Sequence, residues 1–317
     1  MSKGKISFDS IIQSKRKNDF IKPYELAYKS FLNLGLDKEN FHFFFKNASS
    51  IVEKMREECW KNYLIAEDEF SKSVLKSLFL PEENNAMTNK ESVYKFIDSH
   101  VNDFYTLSLS NTQSRRSRAG TEFEAIIELL FMGAGIIIDS QGFLSSGIFT
   151  EHNLGKSVDI ISPGVTEYGI QKRTCSLVSC KTSLRERWSE VIEEKERTGA
   201  SEIYLTTLDS KISPKTLSIL NDKNVIPVVT DSLKKLYYSK NINVITYEEL
   251  LCIISEKNKY WSNPVYSPEL MEERINLIEK QILRHTQLNH EYIKKFYYEK
   301  KSNLLNLPDE TTAWEVY

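Results

Sequence analysis

The sequence lacks several features that would assign it to a broad class at once. No run of 18 or more apolar residues is present, and the first 20 residues hold no apolar segment of the kind found in secretory signals. We therefore expect neither a membrane span nor a signal peptide. The phosphate-binding loop, the dinucleotide-binding glycine pattern and the GxSxG nucleophile pattern are also missing.

Cysteine is sparse, and the histidines show no metal-ligand spacing. Four scattered cysteines favour reduced thiols in a cytoplasmic protein over a disulfide framework or a zinc site. Charge of one sign is not in excess, because 42 basic residues face 44 acidic ones and the net charge is −2. The total therefore does not indicate a nucleic-acid partner, although locally clustered charge can still bind one. The cysteines are Cys59, Cys175, Cys180 and Cys252.

The first 110 residues carry apolar side chains at helical spacing. This spacing runs through "YELAYKSFLNLG" and "SSIVEKMREECWKNYLIAEDEFSKSVLKSLFL", and Pro81 is expected to end the second helix. The segment "NKESVYKFIDSHVNDFYTLSL" continues the pattern. Because no linker-like segment follows, we predict an N-terminal helical subdomain over 1–110 packed on a second domain over 111–317.

Short β-branched runs replace the helical pattern in the second part. A helix over "TEFEAIIELLFMGAG" is followed by "IIID", "SVDIIS", "TCSLVSC", "SEIYLTTL" and "VIPVVT", with helices between the later runs. Pro163 and Gly164 indicate a hairpin between the second and third runs. This order predicts an α/β fold with a mixed central β-sheet flanked by helices. The segment from 267 to 301 reads as one or two amphipathic helices, suited to packing or dimerisation.

Two charged residues stand in apolar strand-like runs. Asp159 lies in "SVDII", and Lys181 closes "CSLVSCK". Burying a charge is costly unless it is paired or binds a metal, and a hairpin would bring the two residues together. A carboxylate that holds Mg²⁺ and a lysine that orients or deprotonates water suit phosphodiester hydrolysis. The alternatives are a strand-end salt bridge or two solvated charges.

Glu124, in the helix before the sheet, is a candidate second carboxylate for the metal. Glu122 and Glu128 compete for this role, and the simpler interpretation is an exposed acidic face. One turn of helix also separates Arg56 from Trp60, which places both on one face. Without further information that pair reads as a core tryptophan beside a surface arginine.

The segment "TSLRERWSEVIEEKERTG" predicts a helix that begins at a capping box formed by Ser183 and Glu186. Arg185 and Arg187 would then crowd the first turn, against the helix dipole. Arginine forks bind guanine edges and a carboxylate accepts from cytosine, so Arg185, Glu186 and Arg187 suit the reading of G·C pairs. A surface salt-bridge cluster is the alternative. An apolar stripe should pack on the sheet through Leu184, Trp188, Val191 and Ile192.

The basic segment "QSRRSRAG" is expected to form a loop that ends at Gly120. Its arginines, Arg115, Arg116 and Arg118, suit contacts to phosphate, the contact type that dominates nucleic-acid affinity. A solubilising loop is the alternative.

Three of these segments resemble, in order and in spacing, the CCGG family of type II restriction endonucleases within the PD-(D/E)XK nuclease superfamily. They are "QSRRSRAGTEFE", "SVDI" and "SCKTSLRERWSEVIEE", and the likeness is greatest to the SsoII, PspGI and EcoRII catalytic-domain group. "MREECW" extends it more weakly. The resemblance implies a restriction-endonuclease-like fold and Mg²⁺-dependent, site-specific cleavage of double-stranded DNA by a homodimer in the bacterial cytoplasm, with a cognate DNA methyltransferase as functional partner.

The resemblance also implies an active site. No proline precedes Asp159, and Ser179 stands where the superfamily name expects an acid. The family takes the missing acid from the following helix, thirteen residues after the lysine, which here is Glu194; Glu190 and Glu193 are local alternatives. The implied catalytic set is Asp159, Lys181, Glu194 and Glu124, with all three acids as metal ligands.

The implied recognition residues divide into two groups. Arg185, Glu186 and Arg187 would read the CC:GG half-site, and Gln113 would contact the outer pair. Arg56 and Trp60 match residues that hold a flipped-out central nucleotide, and an aromatic face can compensate for unstacking. This match implies the target CCNGG, cut before the first C to leave 5′ overhangs of five nucleotides. CCWGG or CCGG as target, and a DNA-binding or repair-associated protein without cleavage, stay open as alternatives.

Overall fold

A computed structural model describes residues 7–79, 88–155, 158–185, 187–264 and 266–306. The predictions for Pro81 and Glu186 lie outside these residues. No described helix is long and apolar enough to cross a membrane. The four cysteines are free thiols, and Cys252 is exposed.

Within the described residues four α-helices precede the sheet, as the apolar spacing predicts. The helix α3 is kinked at Asn47, whose side-chain amide donates to the carbonyl of Phe43 at 2.8 Å. The helix α4 begins with a capping box between Thr88 and Glu91. The helices are α1 (Phe8–Asp19), α2 (Pro23–Asn33), α3 (Phe41–Lys76) and α4 (Asn89–Gly133).

The basic segment at 113–120 is not the loop that the sequence predicts. It lies inside α4, which runs unbroken for 45 residues, and so does the predicted subdomain boundary at 110–111. Leu107 and Phe123 are buried on either side of the segment. Tertiary packing at both ends outweighs the small helix penalty of about 1 kcal/mol for Gly120. The division into domains at that boundary stays a prediction.

The sheet is mixed, as expected. Its six strands follow chain order across the sheet, with β1, β2 and β3 antiparallel and β3 to β6 parallel. The sixth strand is an addition to the sequence prediction. The strands are β1 (Asp139–Ser140), β2 (Ile160–Ser162), β3 (Ser176–Lys181), β4 (Ile203–Thr207), β5 (Val225–Val229) and β6 (Ile245–Thr246).

The remaining helices lie between the strands or after them. The strands β2 and β3 pair antiparallel, as predicted. The predicted hairpin turn between them is wrong, because the connection contains α7 and a 3-10 turn at Lys172–Thr174. The helices are α5 (Gln141–Leu144), α6 (Ser146–Glu151), α7 (Val165–Ile170), α8 (Trp188–Thr198), α9 (Pro214–Asp222), α10 (Asp231–Tyr237), α11 (Tyr247–Asn258), α12 (Pro268–Gln287) and α13 (Glu291–Leu305).

Strand alternation divides the core into two layers. Val178 faces the layer formed with α2, α3, α4 and the C-terminal helices, whereas Leu177 faces the layer that contains Val191 of α8. Buried Ile282 and Ile293 place α12 and α13 in the first layer, which confirms a packing role for the C-terminal helices. The sheet is therefore covered on both faces, which leaves its edges and strand ends accessible.

Candidate active site and nucleic-acid interface

The sheet brings Asp159 and Lys181 together. Asp159 directly precedes β2 and Lys181 ends β3, so the antiparallel pairing of these strands sets them side by side. Asp159 Oδ2 accepts a hydrogen bond from the Cys180 amide at 2.6 Å and lies 3.4 Å from Lys181 Nζ. Both side chains are buried. The interpretation of two solvated charges is therefore wrong, and the pair is a buried salt bridge at the strand ends.

Glu124 of α4 lies close enough to interact with this pair. Burial and then the neighbouring Asp159 carboxylate raise the pKa of Glu124 to about 7, against the opposing charges of Lys181 and Arg187. Burial likewise raises the pKa of Asp159, and Lys181 is the largest opposing influence. Two neighbouring carboxyl groups with raised pKa values ionise more readily when a cation lies between them, so this pair is suited to cation binding. Carboxylate oxygens are the ligands that Mg²⁺ prefers, so the donor set fits that metal.

The acidic-face interpretation of the neighbouring glutamates is wrong. Glu122 and Glu128 are both almost fully buried, because α4 packs against α2 and α3 on this side. Ser140 Oγ donates to Glu128 Oε1 at 2.6 Å, and burial raises the pKa of Glu128 to about 8. Glu128 is one helical turn beyond Glu124 and lines the same 380 Å³ cavity.

Glu194 occupies the inner face of α8. Its side chain is buried and its carboxylate pairs with Arg197 of the same helix. The backbone of Gly155 approaches so closely that a Cβ at 155 would overlap Glu194 Oε1. Across the residues that the structure describes, no three acidic, histidine or cysteine side chains form a cluster that could hold a metal ion. The assignment of Asp159, Glu194 and Glu124 as joint ligands stays a prediction.

The described residues between Lys181 and α8, 182–185 and 187, are not helical. The helix begins at Trp188, so the capping box predicted at Ser183 is wrong. Asp209, just beyond β4, accepts from the Leu184 amide at 2.5 Å, and the buried Leu184 side chain anchors the turn. These contacts hold the backbone that the predicted cap would have turned into helix.

The two described arginines of this turn are exposed. Arg185 has a φ of +35°, in the left-handed region. Arg187 precedes α8, and its Nε lies 4.0 Å from Glu190 Oε2. Arg187 lies near enough to Glu124 and Asp159 to oppose their raised pKa values. The role of Arg185 and Arg187 in base reading stays a prediction.

Trp60 is a surface residue, so its interpretation as a core tryptophan is wrong. The side chain is 37% exposed and stacks on Tyr63 with ring centroids 5.8 Å apart and an angle of 19°. Arg115 lies over the indole, with Cζ 5.7 Å from the ring centroid. Arg115 also pairs with buried Glu67, which accepts from Tyr63 Oη at 2.7 Å. Tyr63 and Arg115 thus both contact the indole ring and hold it in place.

Glu122 joins the residues predicted for base flipping to those predicted for phosphate contact. Its carboxylate lies 3.2 Å from Arg56 Nη1 and 3.3 Å from Arg118 Nε. Arg56 is therefore partly buried in an ion pair rather than free on the surface.

The predicted phosphate contacts do not share one environment. Arg115 and Arg118 lie one turn apart on the side of α4 that faces α3, and both are engaged in ion pairs. Gln113 and Arg116 are exposed and lie three residues apart, on another side of the helix. Arg116 and Gln113 are the better placed of the four for contact with a second molecule, and all four roles stay predictions.

Comparison with known proteins identifies the chain's relatives. The family described as EcoRII C terminal matches residues 80–251, more than half of the chain. The type II restriction enzyme SsoII of Shigella sonnei is 41% identical over 299 residues, which cover 94% of this chain and 97% of that enzyme. The chain belongs to this family of type II restriction endonucleases.

Two solved structures agree. Ecl18kI, in a metal-depleted complex with uncleaved, modified DNA, is 41% identical with a TM-score of 0.88, over 93% of this chain and 98% of that one. PspGI, in a complex with substrate DNA, is 16% identical with a TM-score of 0.56, over 76% and 94% of the two chains, and supports the fold alone. The prediction of a restriction-endonuclease-like fold is confirmed.

Sequence reasoning did not single out three residues that support the site: Asp209, Glu67 and Tyr63. Asp209 follows the apolar run "IYLTT", at the same edge of the sheet as Lys181, so its position was a usable signal. Glu67 and Tyr63 lie four residues apart and share a face of α3 with Trp60, but helical spacing alone does not distinguish them from ordinary surface residues.

Proposed function

We propose that this restriction endonuclease is a Mg²⁺-dependent homodimer that binds double-stranded DNA at CCNGG. It cleaves before the first C and leaves 5′ overhangs of five nucleotides with 5′-phosphate ends. The observation that carries the proposal is the grouping of Asp159, Lys181 and Glu124 at the strand ends, beside the turn that holds Arg185 and Arg187. Lys181, proposed for cleavage, and Arg185, proposed for base reading, are only four positions apart in the sequence.

Asp159 and Glu124, with Glu194, would hold the metal. When bound, Mg²⁺ supplies charge that offsets the phosphate and favours ionisation of water. Lys181, held beside Asp159, donates a hydrogen bond to the attacking water or to the phosphate and adds positive charge. Burial of Asp159 and Lys181 limits the access of bulk water and strengthens their interaction.

Base reading falls to the turn between β3 and α8. Exposed Arg185 and Arg187 offer two forks for guanine O6 and N7, and Glu186 is proposed to accept from cytosine N4. Gln113 would contact the outer pair, and Arg115, Arg116 and Arg118 would contact phosphates.

The central base would be flipped onto Trp60. Stacking on a supported aromatic face compensates for about 1–3 kcal/mol per base, which offsets part of the cost of unstacking. Arg56, held by Glu122, would bind the edge or the phosphate of the extruded nucleotide.

A restriction endonuclease with this target needs a cognate DNA methyltransferase to protect the host, and we propose a bacterial cytoplasmic setting for both. A two-fold symmetric target is matched by a two-fold symmetric protein, which is the basis for the homodimer.

Plasmid cleavage with Mg²⁺, followed by sequencing of the ends, tests target and overhang together. Cuts at CCWGG or CCGG alone would replace CCNGG as the target. DNA binding without hydrolysis would point to a non-cleaving protein. Asp159→Asn should abolish cleavage while retaining a gel shift in Ca²⁺, and Asp222→Asn, at the exposed end of α9, is the matched control.

A further inference from the structure

Gly155 lies against two side chains of α8. A Cβ atom at this position would overlap both carboxylate oxygens of Glu194 and the guanidinium group of Arg197. The backbone of Gly155 does not adopt a positive φ, so conformational freedom is not the reason that a glycine stands here. What this position requires is the absence of a side chain where Glu194 and Arg197 approach the backbone.

Hydrogen bonds tie Gly155 to the backbone of Asp159, four positions further along the chain. The Gly155 carbonyl accepts from the side-chain amide of Gln141 at 3.2 Å and from the backbone amide of Val158 at 3.3 Å. The backbone amide of Gln141 in turn donates to the carbonyl of Asp159 at 3.0 Å. One residue of α5 thus holds the glycine that contacts Glu194 and the residue that carries the other carboxylate.

We propose that Gly155 is a positioning residue for DNA hydrolysis, whose backbone sets where the Glu194 carboxylate lies relative to Asp159, and that Gln141 holds Gly155 in place. The inference rests on the proposed function, which assigns Glu194 as a metal ligand, and deepens it. Mg²⁺ demands short ligand distances in near-octahedral geometry, so a displaced carboxylate binds it less well. Residues that orient metal ligands typically contribute about 10- to 100-fold to metal affinity.

The surroundings of Gly155 indicate which group would yield to a methyl group at this position. The overlapping atoms are the ends of two long side chains rather than backbone, so the fold can accommodate the methyl group when these side chains rotate. Arg197 is half-exposed and can turn into solvent, whereas Glu194 is buried on the inner face of α8. The Glu194 carboxylate must therefore move within the site, and metal binding should change more than folding.

The metal affinity of Gly155→Ala tests the proposal. One measurement is the half-saturating Mg²⁺ concentration for plasmid cleavage, and the other is the dissociation constant for Mn²⁺, from the electron paramagnetic resonance signal of free Mn²⁺ with the protein alone. We expect both to rise by about ten-fold, and saturating Mg²⁺ to restore much of the cleavage rate. Gly147→Ala is the matched control, because a Cβ there would approach Ser145 Oγ at an ordinary contact distance of 3.7 Å.

A double-mutant cycle distinguishes this role from a general structural one. If Gly155 acts through Glu194, Gly155→Ala should cause no further loss of metal affinity in a protein that already carries Glu194→Ala. Gln141→Ala is a second variant that adds no atoms to the site. It removes the side-chain donor to Gly155 and keeps the backbone bond to Asp159, so it should weaken metal binding in the same direction, and again only where Glu194 is present.

The possible outcomes separate this inference from the proposed function. Unchanged metal affinity in Glu194→Ala would remove Glu194 from the metal site, and the role of Gly155 would fall with it. If Glu194→Ala loses affinity while Gly155→Ala and Gln141→Ala keep it, only the positioning role is overturned. An equal loss from Gly155→Ala with and without Glu194 would also overturn it, because the glycine would then act on another part of the protein.

Discussion

Lys181 and its neighbour Cys180 hold the same carboxylate oxygen: Asp159 Oδ2 lies 2.6 Å from the Cys180 amide and 3.4 Å from Lys181 Nζ. One donor belongs to the backbone of β3 and cannot be removed by substitution. The other is a buried side chain with a proposed role in hydrolysis. Structural and chemical roles of Lys181 can therefore be separated experimentally.

Lys181→Met should lower the cleavage rate by about 100-fold or more, because it removes the charge beside the attacking water while keeping an apolar side chain of similar length. The Cys180 amide continues to hold Asp159, so the DNA gel shift in Ca²⁺ should persist. Lys223→Met, at an exposed ion pair with Glu196, is the control. A Lys181→Met enzyme that cleaves at the normal rate would remove Lys181 from the mechanism.

The pKa of Glu124, raised to about 7, predicts pH-dependent metal binding. A carboxyl group must lose its proton to bind a cation, so the half-saturating Mg²⁺ concentration should fall between pH 6 and pH 8. In Glu124→Gln this dependence should flatten. Cleavage assays with varied Mg²⁺ at each pH measure it, and an unchanged profile in the variant would contradict the assignment of Glu124 as a ligand.

The raised pKa of Glu128 predicts that the free energy of unfolding decreases as the pH rises towards 8. Its pKa rises from an ordinary value of 4.5 to about 8, so between these values the folded state binds more protons than the unfolded chain. The free energy of unfolding therefore falls as pH rises through this window. Between pH 5 and pH 8 we expect Glu128→Gln to lose less stability than the unmodified protein, by about 1–3 kcal/mol. Urea denaturation at both pH values measures the difference, with exposed Glu196→Gln as control.

Glu122→Gln should impair base flipping more than overall binding. The change leaves Arg56 and Arg118 without their shared carboxylate and costs about 1–3 kcal/mol of stability, the range for a buried polar group that loses its partner. The fluorescence of 2-aminopurine at the central position reports extrusion, and Trp60→Phe retains a stacking face for comparison. Trp60→Ala reveals any quenching by the indole. Normal flipping in Glu122→Gln would show that Arg56 needs no fixed partner.

Asp209→Ala should relax specificity. The variant frees the Leu184 amide and loosens the turn that presents Arg185 and Arg187. We expect the ratio of cleavage at the target to cleavage at sites with one altered base pair to fall about ten-fold, since a mismatch normally costs about 1–3 kcal/mol. Asp231→Ala, at the start of α10, is the control. An equal loss at all sites would instead indicate a catalytic or stability defect.

Local patterns predicted the sheet well. The short apolar runs in "SVDIIS" and "TCSLVSC" indicate strands, and the antiparallel pairing of these strands brings Asp159 to Lys181. A charged residue at a buried strand end needs an opposite charge or a metal nearby, which made this pairing predictable. The sequence named Arg185 and Arg187 as functional candidates but wrongly predicted that a helix begins at Ser183. The local capping pattern carries no information about the distant Asp209, which binds the Leu184 amide.

The sequence by itself determined the α/β class, the antiparallel pairing of β2 with β3 and the meeting of Asp159 with Lys181, because local apolar patterns and the cost of burying a charge act within a few residues. Only the tertiary structure decided that α4 runs unbroken through Gly120, that Glu122 and Glu128 are buried, and that Trp60 is exposed on Tyr63. These outcomes depend on how α2, α3 and α4 pack together. Packing between segments far apart in sequence outweighs local propensity, and no short pattern encodes it.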